Sequence, residues 1–267
     1  MLDKRKKYLQ VAFNRPLEEI AAMIFSLPLS DRIIIEAGYP LIKNYGTDAI
    51  RTIKSLWEQR VFSIFSTSTQ DVQIPLAGLT PFFLKKILED QKKQKARRRF
   101  INNKNQIITP YIIADLKCMD RAFTEVEAAA SAGASAATCL GLAPLETVNE
   151  FVRHCEKIGI DSVLDMINIE YPFEILSKLD NLPKIVMIHR GVDEGEENKE
   201  KEVPYDQIAR IKSVYDDVLI AVAGGETINE VMEGSFNDAD IVIVWRPLNE
   251  NPKMVGALAN EFLKEIK

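Results

Sequence analysis

The chain has 267 residues, of which 46% are apolar and 27% are charged, a balance typical of a globular protein. This composition excludes disordered, collagen-like and fibrous proteins, and no apolar run reaches the ~18 residues that a membrane-spanning helix needs. The net charge of −5 argues against a chain built to bind nucleic acid, and three cysteines without metal-ligand spacing fit a reducing compartment. We therefore expect a cytoplasmic protein with neither a membrane nor a nucleic acid as its partner.

Short apolar runs rich in valine and isoleucine alternate along the chain with amphipathic segments such as Leu17–Ser26 and Ala143–Lys157. The runs are apolar throughout, which is typical of strands buried on both faces of a parallel sheet. The strand candidates are Tyr8–Phe13, Arg32–Glu36, Ile108–Ala114, Ala136–Leu140, Ser162–Met166, Lys184–Ile188, Val218–Val222 and Asp240–Val244.

Eight alternations of strand and helix predict one parallel (β/α)8 barrel, a TIM barrel, as a single domain over residues 1–267. The alternative is an open doubly wound sheet, which needs a topological switch and usually has fewer strands. One stretch interrupts the alternation. The second helix is predicted to end near Leu56, and about 50 further residues, Trp57–Gln106, form an insertion before the third strand.

The insertion is predicted to be partly helical and basic. Leu79–Phe100 has the pattern of a helix, with Thr80 as N-cap and Pro81 at the first position. Eight basic and two acidic residues lie between Lys85 and Arg99. A helix-to-strand connection lies on the N-terminal face of a barrel, away from the active site. We interpret the insertion as a solvated helix or an oligomer contact, with a nucleic-acid or membrane-surface patch as the alternative.

Polar residues and glycines follow the predicted strands, at the barrel end where active sites lie. The residues at these ends are Asn14, Glu36, Asp115 with Lys117 and Asp120, Thr138, Asp165, His189, Gly224 with Gly225, and Arg246. The early strands contribute carboxylates and a lysine, whereas the last two contribute glycines and an arginine. This division predicts two halves of one site.

The second half has the features of a phosphate site. Gly224 and Gly225 follow an apolar run and precede a helix predicted to begin near Thr227, so backbone N–H groups can face an anion. Arg246 at the next strand end adds a bidentate cation. A simple tight turn at the glycine pair is the alternative.

The first half has the features of a metal and proton-transfer site. Glu36 and Asp115 end adjacent strands and can share one Mg²⁺ that keeps other positions for water and substrate. Lys117 projects to the same side as Asp115, stays protonated beside carboxylates and can stabilise an oxyanion. A surface salt bridge is the alternative for this pair.

The two histidines are expected to differ in role. His189 follows an apolar strand, so its imidazole can act as a general base at the barrel mouth, with a structural histidine as the alternative. His154 lies within a predicted helix, and we interpret it as a surface or packing residue. None of the three cysteines has the surroundings of a nucleophile.

The chain resembles the 3-hexulose-6-phosphate synthase family in seven motifs, YLQVAFN, EAGYPLIKNYG, ADLKCMD, DMINIE, IHRGVDE, AVAGGET and ADIVIVWR. That family belongs to the orotidine 5′-phosphate decarboxylase suprafamily, together with 3-keto-L-gulonate 6-phosphate decarboxylase. The resemblance covers nearly the whole chain outside Trp57–Gln106. Its most specific parts are the D-x-K-x-x-D run and the H-x-G-x-D-E run.

The resemblance implies a Mg²⁺-dependent aldol reaction between formaldehyde and ribulose 5-phosphate, or its reverse. It assigns Glu36 and Asp115 to the metal, which stabilises a 1,2-enediolate, and His189 to proton transfer. It places Lys117 against the enediolate or substrate hydroxyls. Asp120 is implied to reach into the neighbouring subunit's site, which makes the protein a homodimer with shared active sites. The implied substrate-binding residues are Asn14, Asp115, Asp193, Gly224, Gly225 and Arg246.

The chain departs from the family pattern at the ends of two strands. Asn14 stands where the family has an aspartate, so it cannot pair with Lys117 as an anion, and Trp245 replaces the glycine before Arg246. Val192 stands where the gulonate decarboxylases have an arginine, which argues against that branch. Two alternatives stay open: a related enediolate enzyme for another sugar phosphate, and a non-catalytic barrel that serves as a binding or assembly subunit.

Overall fold

The structure is a computed structural model that describes residues 2–66, 109–198, 200–225, 228–250 and 252–266. The described strands are β1 (Tyr8–Phe13), β2 (Ile33–Ala37), β3 (Tyr111–Cys118), β4 (Ala136–Leu140), β5 (Asp161–Asp165), β6 (Ile185–His189), β7 (Leu219–Gly225) and β8 (Ile241–Val244). These eight strands are parallel and pair in chain order, and β8 pairs with β1 to close the barrel. The predicted (β/α)8 barrel is confirmed.

Helices cover the outside of the barrel. Within the described residues they are α1 (Leu17–Ser26), α2 (Tyr39–Tyr45), α3 (Thr47–Ser66), α4 (Ala122–Ala132), α5 (Leu145–Ile158), α6 (Pro172–Leu176), α7 (Val192–Glu197), α8 (Asp206–Val214), α9 (Ile228–Phe236), α10 (Arg246–Glu250) and α11 (Val255–Glu265), with a 3-10 turn at Pro252–Met254. In this part of the chain, no helix combines the length and the apolar character needed to cross a membrane.

The alternation of side chains along each strand separates two layers of core. One face of the strands packs against the helices, and the other fills the barrel interior with residues such as Ile34, Ile113 and Val163. Glu36 and Asp115 lie two residues beyond Ile34 and Ile113, on the same inward face. The strands therefore direct carboxylates into the C-terminal end of the barrel.

Helix α3 is longer than the sequence predicted. The predicted end near Leu56 is wrong, because Trp57 and Val61 are each only 1% exposed and continue the buried face of the helix. Trp57 and Val61 thus pack within the core of the barrel scaffold. The predicted helix Leu79–Phe100 and its basic run lie outside the described residues.

Two strands are irregular where they reach the C-terminal mouth. The pairing of β3 with β4 shifts between Ala114 and Cys118, and that of β7 with β8 shifts between Ala223 and Gly225. Bulges of this kind often redirect side chains near active sites. Strand β3 was predicted to end at Ala114. It continues through the irregularity to Cys118, so Lys117 lies within the strand.

Candidate active site

A cavity of about 680 Å³ opens at the C-terminal mouth of the barrel. The sequence-predicted residues that line it are Asn14, Glu36, Asp115, Lys117, His189, Asp193, Gly224 and Arg246. Gly225 adjoins Gly224 at the end of β7. Asp120 is exposed in the turn after β3, outside this lining, where it can face another molecule.

Asp165, at the end of β5, connects the two predicted catalytic side chains. Its carboxylate is fully buried, and its Oδ2 accepts a hydrogen bond from Lys117 Nζ at 2.9 Å. His189 Nδ1 lies 2.9 Å from Asp165 Oδ1, which also accepts from the backbone N–H of Ile167 at 3.0 Å. The lysine and the histidine are therefore held by one carboxylate.

The charge of Asp165 fixes the tautomer of His189. Burial alone raises the pKa of Asp165, but His189 and Lys117 outweigh burial and lower that pKa to about 2. An ionised carboxylate only accepts hydrogen bonds, so Nδ1 of His189 carries the hydrogen. In the neutral ring, Nε2 is then the basic nitrogen that can take a proton from a substrate.

Lys117 is held as a cation among carboxylates. Its Nζ lies 3.5 Å from Asp115 Oδ2, in addition to its contact with Asp165. Burial opposes its charge, yet Asp115, Asp165 and Glu36 together raise the pKa of Lys117 above its ordinary value. The sequence-based expectation that Lys117 stays protonated agrees with this environment.

The backbone of Lys117 is strained and locally supported. Its φ of 46° is left-handed, a region that residues other than glycine seldom adopt. Its N–H donates to Thr138 Oγ1 at 3.0 Å, and the Thr138 hydroxyl donates to Asp115 Oδ1 at 2.8 Å. Thr138 thus joins the bulge in β3 to the carboxylate beside it, as expected where strain occurs at a functional site.

Glu36 and Asp115 are buried carboxylates that both line the cavity. Burial and then the charge of Asp115 raise the pKa of Glu36 to about 8. Gln10 Nε2 donates a hydrogen bond to Glu36 Oε2, and Glu36 forms no ion pair within the described part of the chain. A divalent cation would supply the missing positive charge, and carboxylate oxygens suit Mg²⁺.

The candidate metal donors are two carboxylates. In the part of the chain that the structure describes, no group of three or more histidine, cysteine, aspartate or glutamate residues could hold an ion. Mg²⁺ commonly uses one or two carboxylates and completes its shell with water and substrate. The Glu36–Asp115 pair fits that pattern.

The other side of the cavity has a different construction. Gly224 has a φ of 119°, which favours glycine, and Arg246 begins α10. Arg246 Nη2 donates to Glu196 Oε1 at 2.8 Å, and its guanidinium carbon lies 5.3 Å from the centre of the Trp245 ring. Trp245 therefore contributes an aromatic surface beside Arg246, the cation predicted to bind phosphate.

Asn14 lines the cavity, but its Oδ1 is packed against Gly38. Its Oδ1 is buried and, among the described residues, has no hydrogen-bond partner. Lys117 has its carboxylate partners in Asp115 and Asp165 instead. Asn14 therefore supplies no anionic partner to Lys117.

Several site residues were given no role from the sequence. Asp165 and Thr138 were noted at strand ends, and their inward alternation with Val163 and Ala136 was the signal that could have assigned them. Arg190 and Glu196 were overlooked, since Arg190 follows His189 and Glu196 lies in a surface helix.

The remaining histidine and the cysteines lie in the scaffold. His154 is 3% exposed and packs 4.3 Å from the ring centre of Phe123. The cysteines are buried and form no disulfide, and burial raises the pKa of Cys155 to about 12. A hydrogen bond with Cys139 lowers the pKa of Cys118, so the interpretation that none of the three is a nucleophile stays a prediction.

Residues 89–260 match the family described as orotidine 5′-phosphate decarboxylase / HUMPS. The chain belongs to this family. It is 31% identical over 261 residues to the bifunctional enzyme Fae/Hps of Methanosarcina mazei, which covers 97% of this chain and 52% of that protein. The chain spans about half the length of the curated relatives it matches.

Solved structures share the barrel fold of this chain. The structure of 3-hexulose-6-phosphate synthase from Salmonella typhimurium superposes with a TM-score of 0.68 at 21% identity, covering 97% of this chain and all of that one. KGPDC from Streptococcus mutans in complex with D-R5P gives a TM-score of 0.65 at 16% identity, covering 97% and 98% of the two chains. The family resemblance found in the motifs is confirmed.

Proposed function

We propose that this chain is an aldehyde-lyase of the 3-hexulose-6-phosphate synthase type, joining formaldehyde to ribulose 5-phosphate or catalysing the reverse reaction. The observation that carries the proposal is the placement of His189 and Lys117 on Asp165, beside the Glu36–Asp115 pair, in one cavity. The Hps part of the relatives' name and the name of the Salmonella typhimurium structure support it.

The side chains of this chain can move the protons that the reaction requires. His189 Nε2 takes a proton from C1 of ribulose 5-phosphate, which leaves a 1,2-enediolate. Its C1 attacks the formaldehyde carbon to form the new C–C bond, and the formaldehyde oxygen then accepts a proton. Asp165 stabilises the imidazolium, and the Lys117 ammonium donates hydrogen bonds to the oxygens on which charge develops.

We assign Mg²⁺ to Glu36 and Asp115 as the cofactor of this reaction. When bound, the ion would stabilise negative charge on the substrate oxygens. Gly224, Gly225 and Arg246 bind the phosphate in this proposal, and Asn14 and Asp193 bind hydroxyl groups. The place of Asn14 and Asp193 in the cavity lining supports their part.

Proton exchange tests this assignment before any new bond is formed. Ribulose 5-phosphate in D₂O should lose its C1 proton signal in the presence of the protein and Mg²⁺, and EDTA should stop the exchange. Addition of ¹³C-formaldehyde should then give a product with a new C–C bond. Exchange without condensation would favour another sugar phosphate, and no exchange with several pentulose phosphates would favour a binding subunit.

We also propose a cytoplasmic homodimer that shares its active sites. Met119 and Phe123 flank Asp120 and are 45% and 52% exposed, and Leu142 and Leu145 are exposed after the next strand. This apolar surface at the mouth supports contact with a second copy, into whose site Asp120 would reach. The unpaired cysteines support a reducing compartment.

Mixing two inactive variants tests the shared site. Asp120→Asn and His189→Asn should each have little activity alone. A mixed dimer carries both substitutions in one site and neither in the other, so random exchange should restore about a quarter of the wild-type activity. No recovery after verified subunit exchange would contradict a shared site.

A further inference from the structure

Arg190 connects the histidine strand to the glycines of the predicted phosphate half. It follows His189 directly, and its side chain is only 13% exposed. Nη2 donates to the carbonyl of Gly224 at 3.1 Å, and Nη1 donates to the carbonyl of Lys201 at 3.2 Å. Its backbone N–H also donates to the carbonyl of Ala223 at 3.3 Å. Arg190 therefore connects the end of β6 with the end of β7 and with the segment at Lys201.

An arginine suits this position because its planar guanidinium can donate to two carbonyls at once. Glu230 Oε1 lies 3.9 Å from Nη2 and partly balances the charge. The backbone around it is closely packed: a Cβ added at Gly224 would lie 3.3 Å from Arg190 Cβ and 3.2 Å from Val203 Cγ2. Arg190 therefore lies directly against the backbone of Gly224.

We propose that Arg190 is a positioning residue that fixes the backbone of Gly224 and thereby shapes the phosphate subsite. The inference rests on the proposed function, because it needs Gly224 and Gly225 to bind phosphate. Arg190 holds the glycine carbonyl through its side chain, while its own backbone is continuous with His189. We call the two side-chain hydrogen bonds of Arg190 the clamp. Its removal should weaken binding of phosphorylated ligands and leave proton transfer largely intact.

Binding measurements on the full chain test the clamp. Inorganic phosphate and ribulose 5-phosphate would be titrated by calorimetry into the wild type, Arg190→Lys and Arg190→Gln. We expect Kd to rise about tenfold in both variants, as for the loss of one arginine hydrogen bond, with kcat changed by less than about threefold. Arg153→Gln, which removes an exposed arginine from α5, is the matched control and should bind like the wild type.

The lysine variant separates positioning from direct charge, because Arg190 also lines the cavity. Lysine keeps the positive charge but cannot donate to both carbonyls in the same fork. Wild-type affinity in Arg190→Lys would mean that the charge contacts phosphate directly, and would overturn the clamp. Wild-type affinity in both variants would overturn it as well.

Amide hydrogen exchange of the ligand-free protein supplies a second measurement. Both variants should exchange faster at the end of β7, whereas Arg153→Gln should not. Unchanged exchange there, or equally faster exchange throughout the barrel, would overturn a local clamp.

The binding measurements also separate failure of this inference from failure of the proposed function. A wild type that binds neither phosphate ligand would contradict the proposed function. A wild type that binds, with variants that bind equally well, would contradict only this inference.

Discussion

The two halves of the cavity stabilise charge in different ways. In the proton-transfer half, Asp165 is fully buried and receives hydrogen bonds from a lysine, a histidine and a backbone amide. In the half that we propose binds phosphate, Arg246 pairs with Glu196, whose side chain is 58% exposed. The first half is organised without a ligand, whereas we propose that a phosphate replaces Glu196 at Arg246.

Desolvation explains this difference. A buried charge without partners costs several kcal/mol, so the barrel interior can hold Asp165 only if its partners are already in place. An exposed ion pair contributes about 0–1 kcal/mol, and its loss to a phosphate therefore costs little. Under the proposed function, catalytic geometry is built into the strands, and substrate binding uses groups that exchange partners.

The largest effect is expected from removal of the base in the proton-transfer half. His189→Ala should lower kcat by ~10²–10⁴-fold with little change in KM, because the proton transfer occurs only in the transition state. Steady-state kinetics and C1 exchange would measure the loss. His154→Asn is the control histidine variant. A fully active His189→Ala protein would move proton transfer to Lys117 or a carboxylate.

The next effect tests whether the buried carboxylate organises that half. Asp165→Asn should reduce kcat by about 10²-fold or more, since an amide can donate to Nδ1 and favour the wrong tautomer of His189. The matched control is Asp161→Asn at the opposite end of β5, where Asp161 accepts from the Tyr111 hydroxyl at 2.6 Å. Equal losses in both variants would point to general damage of the strand.

The same contrast shows how much the sequence could predict. Apolar runs predicted every strand of the barrel, because burial on both faces leaves few polar residues within a strand. Glu36, Asp115 and His189 lie at the ends of three of these runs, so their position at the C-terminal mouth could also be predicted. The role of Asp165 did not, since its partners Lys117 and His189 lie 48 and 24 residues away and meet it only across strands.

Local irregularities were also beyond the sequence patterns. The end of α3 depends on how Trp57 and Val61 pack, and the bulge at Lys117 depends on the hydroxyl of Thr138 in the neighbouring strand. Neither leaves a periodic signal. The pairing of Arg246 with Glu196 is a further contact between distant segments.

A smaller effect, of a different kind, is expected in the phosphate half. Arg246→Ala should raise KM about tenfold and change kcat less, because a phosphate contact is present in both the ground and transition states. Initial-rate kinetics over a range of ribulose 5-phosphate concentrations would measure it, with Arg153→Ala as the control. A kcat loss equal to that of His189→Ala would show that phosphate binding also drives catalysis, and the two halves would no longer be separable.

The smallest effect tests whether the partner of Arg246 is replaceable. Glu196→Gln removes the carboxylate with which phosphate must compete, so KM and the Kd of inorganic phosphate should fall by about twofold, as the small energy of an exposed pair allows. Glu197→Gln removes one charge from the same helix and is the matched control. Salt should narrow the difference, because it screens exposed ion pairs. If both variants strengthen binding equally, the effect is one of overall charge. If Glu196→Gln weakens binding, Glu196 holds Arg246 in place for the phosphate, and this half is preorganised like the other.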